Sequence, residues 1–419
     1  MLIRKTLIAS SLMMVCANAT AGAFQLNEHS ASGLGRAFAG DAAIADDASI
    51  VARNPAGMSK IKDAQISGVV SYIAPDVSIS GLSASNGSDI KSLNDNSIAP
   101  SAVIPAGYFV LPIDERLTLG GGAFSNYGLS TELNDDYNAG QLAGETSLTT
   151  VNFNLSAAYK ITEQLSLGAG LNLVYADASL VRHFGETAFN LPNELEAANL
   201  EGDDIAFGWN IGALYEVNHD HRFGLSYRSQ VELDLEGDYS NQLPTMIGGL
   251  QGKVLPGELA ITLPDIAEFS GYHALTPALA IHYSVQWTDW SDFQELAAYV
   301  EGKEDAVFSK TEDFSDAYRV SLGASYQLTP TMMIRAGIAN DATPTNSAHK
   351  SISIPDSDRI WYSTGLSYSP NKQHKIDFAV TFIDGESVSF EERDDLGQTW
   401  GFESHGDASL AAVQYSYTF

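Results

Sequence analysis

The chain closes on LAAVQYSYTF, residues 410–419. Val413, Tyr415, Tyr417 and Phe419 alternate there with Ala412, Gln414, Ser416 and Thr418. One face is therefore apolar and the other small and polar at a period of two, the pattern of a strand. The same alternation runs back along the chain. Val151, Phe153, Leu155, Ala157 and Tyr159 interleave with Asn152, Asn154 and Ser156, and Leu165, Leu167, Ala169, Leu171, Leu173 and Tyr175 form another row. The longest row is Phe223, Leu225, Tyr227, Val231, Leu233 and Leu235, set against Arg222, Ser226, Arg228, Gln230, Glu232 and Asp234. In a soluble sandwich the charged face of such strands looks outward to water. In a membrane barrel the apolar face looks outward to lipid and the polar face lines the lumen.

The terminal strand resembles the closing strand of a Gram-negative outer-membrane β-barrel, in which the last aromatic residue is part of the assembly signal. That resemblance implies recognition by the barrel-assembly machinery through Phe419, and contact with outer-membrane lipids and lipopolysaccharide. The other end agrees. Arg4 and Lys5 precede a short apolar run, Thr6 to Val15, and Ala19-Thr20-Ala21 is a small-x-small cleavage site that leaves Gly22 as the mature N-terminus. Cuts after Ala19 or Ala23 also fit this pattern. The only cysteine, Cys16, lies inside this segment, so the mature chain has no thiol for a disulfide, a metal or a nucleophile. After it, no stretch reaches the roughly 18 consecutive apolar residues of a membrane helix. Yet hydrophobic residues make up 44% of the chain, too many for disorder. The formal net charge of −30 argues against a nucleic-acid partner. The acidic runs Asp135-Asp136, Glu301 to Asp305 and Glu391 to Asp395 read as solvated loops.

Six short turn signals punctuate the alternation, at 112–115, 160–164, 217–221, 274–277, 328–331 and 369–372. Longer polar stretches fall near 81–97, 131–146, 183–203, 237–256, 300–306, 341–352 and 391–400. Together they join fourteen strands and put both chain ends on the short-turn, periplasmic side. The expected fold is all-β: a 14-stranded antiparallel transmembrane β-barrel over residues 64–419, after a signal peptide at 1–21. Residues 22–63 are rich in Gly and Ala and do not alternate. They read as a periplasmic tail or as a plug (hatch) inside the lumen, and small residues suited to a tight lumen favour the plug.

The segment GAFQLNEHSASGLGRAFAGDAAIADDASIVARNPA, residues 22–56, resembles the N-terminal hatch of the FadL long-chain fatty acid transporter family. The resemblance continues through YIAPDVSISG (72–81), SNYGL (125–129), FGWN (207–210), SISIPD (351–356) and the last strand, and so covers nearly the whole mature chain. It implies an outer-membrane transporter, not an enzyme, that binds long-chain fatty acids in an internal apolar pocket, rearranges its hatch and releases the ligand sideways through the wall. It also implies a monomer. By resemblance, Arg182 and Lys310 hold the ligand carboxylate, Phe24 stands near the pocket, the Gly22 amine pairs with Asp341, and Asn54-Pro55-Ala56 is the hatch motif. Ser125, Asn126, Tyr127 and Gly128 form the strand kink that opens the wall; Asn and Gly within a strand, after Gly120 to Gly122, suggest the same irregularity on physical grounds.

The residues test these assignments unevenly. The lipid-facing parity of strand 164–182 turns Arg182 to the lumen, whereas parity from Val320, Leu322 and Tyr326 turns Lys310 outward unless Thr311 to Asp316 break the register. The loop at 183–203 is shorter than its counterpart in the best-known family member, which leaves the external low-affinity groove open. Some family members carry uncharged aromatic hydrocarbons, and that is the alternative substrate class. A lipid enzyme would need a nucleophile with a positioned base, and no Gly-x-Ser-x-Gly elbow occurs. Gly33-x-Gly35 lacks the third glycine of a dinucleotide loop and follows no strand. No cofactor or metal is expected.

Overall fold

The computed structural model describes residues 22–419 apart from 188, 190, 248 and 304; the expected export signal at 1–21 lies outside the described residues. Among them, fourteen antiparallel strands close into one barrel. The first six are β1 (Gln65–Ala84), β2 (Ala102–Pro112), β3 (Leu117–Phe124 and Gly128–Glu132), β4 (Glu145–Lys160), β5 (Leu165–His183) and β6 (Glu196–Glu216). Four interrupted strands follow: β7 (His221–Arg228 and Val231–Ser240), β8 (Leu255–Leu263 and Ile266–Ala274), β9 (Leu279–Thr288 and Glu295–Val300) and β10 (Phe308–Thr311 and Ala317–Thr329). The ring ends with β11 (Met332–Asp341), β12 (Arg359–Tyr368), β13 (His374–Gly385 and Val388–Arg393) and β14 (Thr399–Thr418). Each strand pairs with its sequence neighbours, and β14 returns to β1 from Gln65↔Thr418 to Ala84↔Trp400. The last residue joins this seam, since Phe419 N donates to Ala64 O at 2.9 Å. Closure pairs the first strand with the last, so the sheet has no terminal edge strand, which lipid would not tolerate.

The fourteen expected strands and all six short turns are present. Two long loops are shorter than their polar composition suggests. The stretch expected at 183–203 is a loop only between His183 and Glu196, and β7 and β8 extend to Ser240 and from Leu255. Glu201, Asp203 and Glu236 are exposed on these strand extensions, so their charge marks strand above the membrane rather than loop.

Lipid-facing side chains form an apolar belt, with Leu155 at 68% exposure and Leu171 at 72%. Exposed aromatics border it on both sides: Tyr72, Trp209, Tyr318 and Tyr362 toward the long loops, and Tyr159, Tyr215, Tyr326 and Tyr368 toward the short turns. Such girdles sit at the two membrane interfaces.

The N-terminal segment is buried from Ala23 to Ile44 and again from Asp47 to Ala52. It forms three one-turn helices, α1 (Ala31–Leu34), α2 (Asp41–Ile44) and α3 (Ile50–Arg53), then a 3-10 turn at Pro55–Lys60. Helices this short do not stand alone. Their free backbone groups are met by inward side chains of the wall. Ala31 N donates to Gln414 Oε1 at 3.0 Å and Gly40 N to Ser284 Oγ at 2.9 Å. Arg222 donates to the carbonyls of Ala43 and Ile44, each at 2.6 Å. Charge adds to this: Asp46 meets Arg335 at 3.1 Å, Asp47 meets Lys375 at 3.2 Å, and Asp41 is held by Arg36 at 2.7 Å and Arg53 at 3.1 Å.

Wall glycines let this segment approach. A Cβ on Gly212 would stand 1.9 Å from Asn54 Oδ1, and one on Gly168 would stand 2.4 Å from Ala56 N. Gly212→Ala should therefore cost about 1–3 kcal/mol through overpacking. Gly68→Ala, whose Cβ meets nothing within 4 Å, should be close to neutral. The temperature at which the barrel loses its compact migration in detergent gels measures both; equal midpoints would show that the segment does not press on the wall at Gly212.

Candidate functional site: an apolar column above the N-terminal segment

The lumen has two layers. Beside the N-terminal segment, wall side chains pointing inward are polar: Asn152, Asn154, Asn172, Asn210, Ser226 and Ser284 are all buried. Higher up the inward side chains become apolar. On β5 the inward row runs Asn172, Val174, Ala176, Ala178, Leu180, Arg182 without a change of phase. On β7 the phase itself inverts. Leu225 is exposed and Ser226 buried below the break at Ser229-Gln230, while Leu233 and Leu235 are buried and Glu232 and Asp234 exposed above it. The apolar face of the long row 223–235 therefore does not face lipid throughout, as its alternation suggests. Val231, Leu233 and Leu235 turn into the lumen, because an irregularity between two strand segments exchanges the faces.

The same inversion occurs on β8 across Pro264-Asp265, placing Leu259, Ile261 and Leu263 inside, and on β10 between Thr311 and Ala317. Together with Leu296, Ala298 and Val300 of β9, these residues form one continuous buried apolar cluster. At its foot, Phe24 packs edge-on against Trp290 at 4.6 Å, Phe293 at 5.3 Å and Tyr127 at 6.1 Å.

At its head, residues of five of the long loops border a cavity of about 610 Å³. Phe184 and Phe189 come from the loop after β5, Leu243 and Ile247 from that after β7, Val307 and Phe308 from β10 and the loop before it, and Leu396 from the last loop. The short loop after β5 thus still contributes two aromatic rings to an outer pocket. Lys303, Asp305 and Asp395 line it as well, so the cavity offers apolar and charged surface side by side, as an amphipathic ligand requires.

Arg182 is in the wall of this cavity and is 5% exposed. Its guanidinium donates to Glu145 O at 3.0 Å, Val181 O at 2.8 Å, Thr146 Oγ1 at 3.0 Å and Ser353 Oγ at 2.9 Å. These partners are all neutral, and among the described residues Arg182 forms no ion pair. Lys310 also faces inward: its register partner Leu296 is buried, and the break at 312–316 reverses the phase expected from Val320 and Leu322. It is not free, however, because its ammonium forms an ion pair with Glu392. Glu392 Oε2 accepts in turn from Ile352 N at 3.0 Å, one residue from the Ser353 that binds Arg182. Burial pushes the nearby Glu312 carboxyl up to about 8, with Lys310 pulling it down, Glu392 raising it and Arg182 lowering it. Glu392 could not be paired with Lys310 from sequence, since no local pattern links positions so far apart.

The remaining assigned residues also have clear places. Asn54 donates to Ala42 O at 2.7 Å and Ala213 O at 3.0 Å and accepts from Ala56 N, so it ties the turn at Pro55 and Ala56 to β6. Asp341 is buried beside Gly22; a Cβ there would stand 3.7 Å from Asp341 Oδ1. β3 breaks at Ser125–Tyr127, where its backbone leaves the wall to meet the N-terminal segment. Leu26 N donates to Asn126 O at 2.7 Å and Gly128 N to Phe24 O at 2.8 Å. β2 then pairs with β3 only between Gly107–Pro112 and Thr118–Ala123, and Ala102–Ala106 have β1 alone as partner. One group of three carboxylates, Asp265, Asp289 and Asp292, lies close together among the described residues. It is outside the column, and Asp265 already accepts from Tyr227 Oη and Gln230 N.

A closed barrel with lipid girdles and an apolar inner column defines an outer-membrane transport protein for hydrophobic molecules. The chain belongs to the family of outer membrane protein transport proteins (OMPP1/FadL/TodX), whose model matches residues 12–419. It is 40% identical over 440 residues to the long-chain fatty acid transport protein of Salmonella typhi, covering 100% of this chain and 99% of that one. It is 42% identical over 435 residues to the 47 kDa outer membrane protein of Pasteurella multocida, covering 99% and 98%. The fold superposes on a Pseudomonas aeruginosa FadL homologue with TM-score 0.85, 21% identity and coverage of 94% and 99%. For a Pseudomonas putida toluene transporter, TodX, the values are 0.67, 15%, 96% and 99%. Members of this family are transporters and channels, not enzymes.

The inversion on β7 can be read directly, because Cys16 is the only cysteine and lies ahead of the described residues. A Glu232→Cys variant in intact cells should react with a membrane-impermeant maleimide, and a Leu233→Cys variant should stay protected. The opposite pattern would return the apolar row to the outer surface.

Proposed function

We propose that the protein takes up long-chain fatty acids across the outer membrane. The observation that carries this reading is the Arg182 guanidinium, without an acidic partner among the described residues, in the wall of a cavity that heads an apolar column. An acyl chain gains about 0.8 kcal/mol for each CH₂ buried in that column. A carboxylate needs a cation when it leaves water. Arg182 supplies one, while Lys310, neutralised by Glu392, sets the local field. The relatives named long-chain fatty acid transport proteins, at 39–40% identity over the full chain, favour the same substrate.

The ligand enters the outer cavity, binds Arg182, and extends its chain toward Phe24. Residues 22–63 act as the hatch, and movement of the segment pinned by Asn54-Pro55-Ala56 opens the way. Ala37, Phe38 and Ala45 are held at φ of 53°, 57° and 52°, strain of about 1–3 kcal/mol each that a second conformation would relieve. Exit is sideways, at the kink formed by Ser125, Asn126, Tyr127 and Gly128, where β3 is interrupted. In the processed protein the Gly22 amine pairs with Asp341. Both termini are periplasmic, the protein is a monomer in contact with lipopolysaccharide, and Phe419 is read by the barrel-assembly machinery.

Uptake of labelled oleate by cells lacking their own transporter tests the substrate; uptake of toluene without oleate would favour the uncharged class. Purified Arg182→Gln should bind oleate about 10- to 100-fold more weakly, the worth of a charged hydrogen bond, and methyl oleate unchanged. Equal losses for acid and ester would remove Arg182 from the carboxylate site. Glu312 is mainly neutral below pH 8 and negative above it, so ionisation adds a negative charge near Arg182. Oleate affinity should fall as the pH rises from about 7 to about 9, and the Glu312→Gln variant should show a flat profile.

A further inference from the structure

The polar floor of the column contains a second cation that no carboxylate neutralises. Arg228 is the last residue of the lower half of β7, directly below the phase inversion. Its Nη1 donates to Asn172 Oδ1 at 2.7 Å and its Nη2 to Ala52 O at 2.8 Å, and its guanidinium lies 5.4 Å from the Phe124 ring centroid. Among the described residues it forms no ion pair. It lines a small void, about 10 Å³, together with Asn126 and Tyr127 of the β3 break and with Val231 and Leu263 of the apolar column. Asn152 Oδ1, also at this void, is buried without a hydrogen-bond partner among the described residues.

We propose that Arg228 is a second, inner carboxylate-binding residue, which receives the ligand's head group at the wall gap and, in doing so, releases the N-terminal segment. This rests on the fatty acid reading above. Three structural facts meet at this one side chain. The void touches both the foot of the apolar column, at Val231 and Leu263, and the break in β3, at Asn126 and Tyr127, which sets Arg228 between the column and the wall gap. A guanidinium without an acid partner is the group that makes a carboxylate tolerable where it is half withdrawn from water, as beside the half-buried Arg228. Finally, the void is water-sized, so a carboxylate enters only if neighbouring groups move, and of the two groups that Arg228 holds the Ala52 carbonyl belongs to the N-terminal segment. Ala52 directly precedes Arg53, Asn54 and Pro55 in the segment that fills the lumen. A carboxylate that replaces Ala52 O on Nη2 favours the undocked segment, and the ligand's differential affinity for that state is the free energy available to shift the equilibrium.

The test compares uptake of labelled oleate and labelled oleyl alcohol in cells lacking their own transporter, carrying the parent, Arg228→Gln, Arg228→Met or Arg228→Lys at matched outer-membrane levels. Oleate uptake should fall about tenfold or more in the Gln and Met variants and be partly kept in the Lys variant, while alcohol uptake stays within about twofold of the parent. Unchanged oleate uptake, or equal losses of acid and alcohol, would overturn the assignment. A parent that takes up the alcohol but not oleate would instead refute the fatty acid reading. A measurement on the parent alone covers variants that misfold. A fatty acid with a photoreactive group beside its carboxyl should label residues near Arg228 and Tyr127 as well as those near Arg182; labelling confined to the outer cavity would overturn the inner site.

Discussion

The pairing of β14 with β1 is the interaction on which everything else depends. Once the ring is closed, strand donors and acceptors are met within the wall except beside the β3 break, and the lumen becomes a compartment separate from lipid. That compartment then has to be filled or left to water. The chain fills its lower part with its own N-terminal segment, whose short helices have no stability of their own. Their carbonyls and amides end on Arg222, Arg228, Gln414, Ser284 and Glu268 from strands around the ring. The polar inner face of the lower barrel exists to satisfy this segment as much as to line a channel.

Above the segment the requirement reverses. No N-terminal backbone has to be satisfied there, and between the segment and Arg182 most inward side chains turn apolar. On β5 composition alone makes the change at Val174. On β7, β8 and β10 a break in the strand exchanges the two faces, so the same alternating pattern serves lipid below and the lumen above. The apolar column and the outer acidic surface are two sides of one device: with Leu233 turned in, Glu232 and Asp234 turn out. Part of the large negative charge is therefore carried on strand extensions beyond the membrane rather than on loops.

The β3 break belongs to the same economy of backbone hydrogen bonds. Residues 125–127 leave the wall where Phe24 and Leu26 offer partners from inside, and the upper half of β2 is left with β1 alone. Wall gap and N-terminal segment are thereby linked through main-chain bonds, and any movement of residues 24–26 bears directly on the gap. Arg228 adds a side-chain connection between the same two regions, through Phe124 and Ala52.

By itself, the sequence determined the barrel, its fourteen strands and its short turns. Lipid outside and a closed ring force a period of two on every strand, and tight turns need Pro, Asn, Asp and Gly, so both signals are local and readable. Asn126 and Gly128 also betrayed an interruption of β3. Only the tertiary structure decided which face of the upper strands points inward. A break of one or two residues such as Ser229-Gln230 reverses every side chain beyond it, and neither residue carries a local mark of that reversal. For the same reason parity pointed Lys310 the wrong way. Nor could sequence tell that Lys310 is paired with Glu392 while Arg182 and Arg228 meet only neutral groups among the described residues. Charge pairing across a barrel is set by the register of strands far apart in the chain, and that register exists only once the ring has closed.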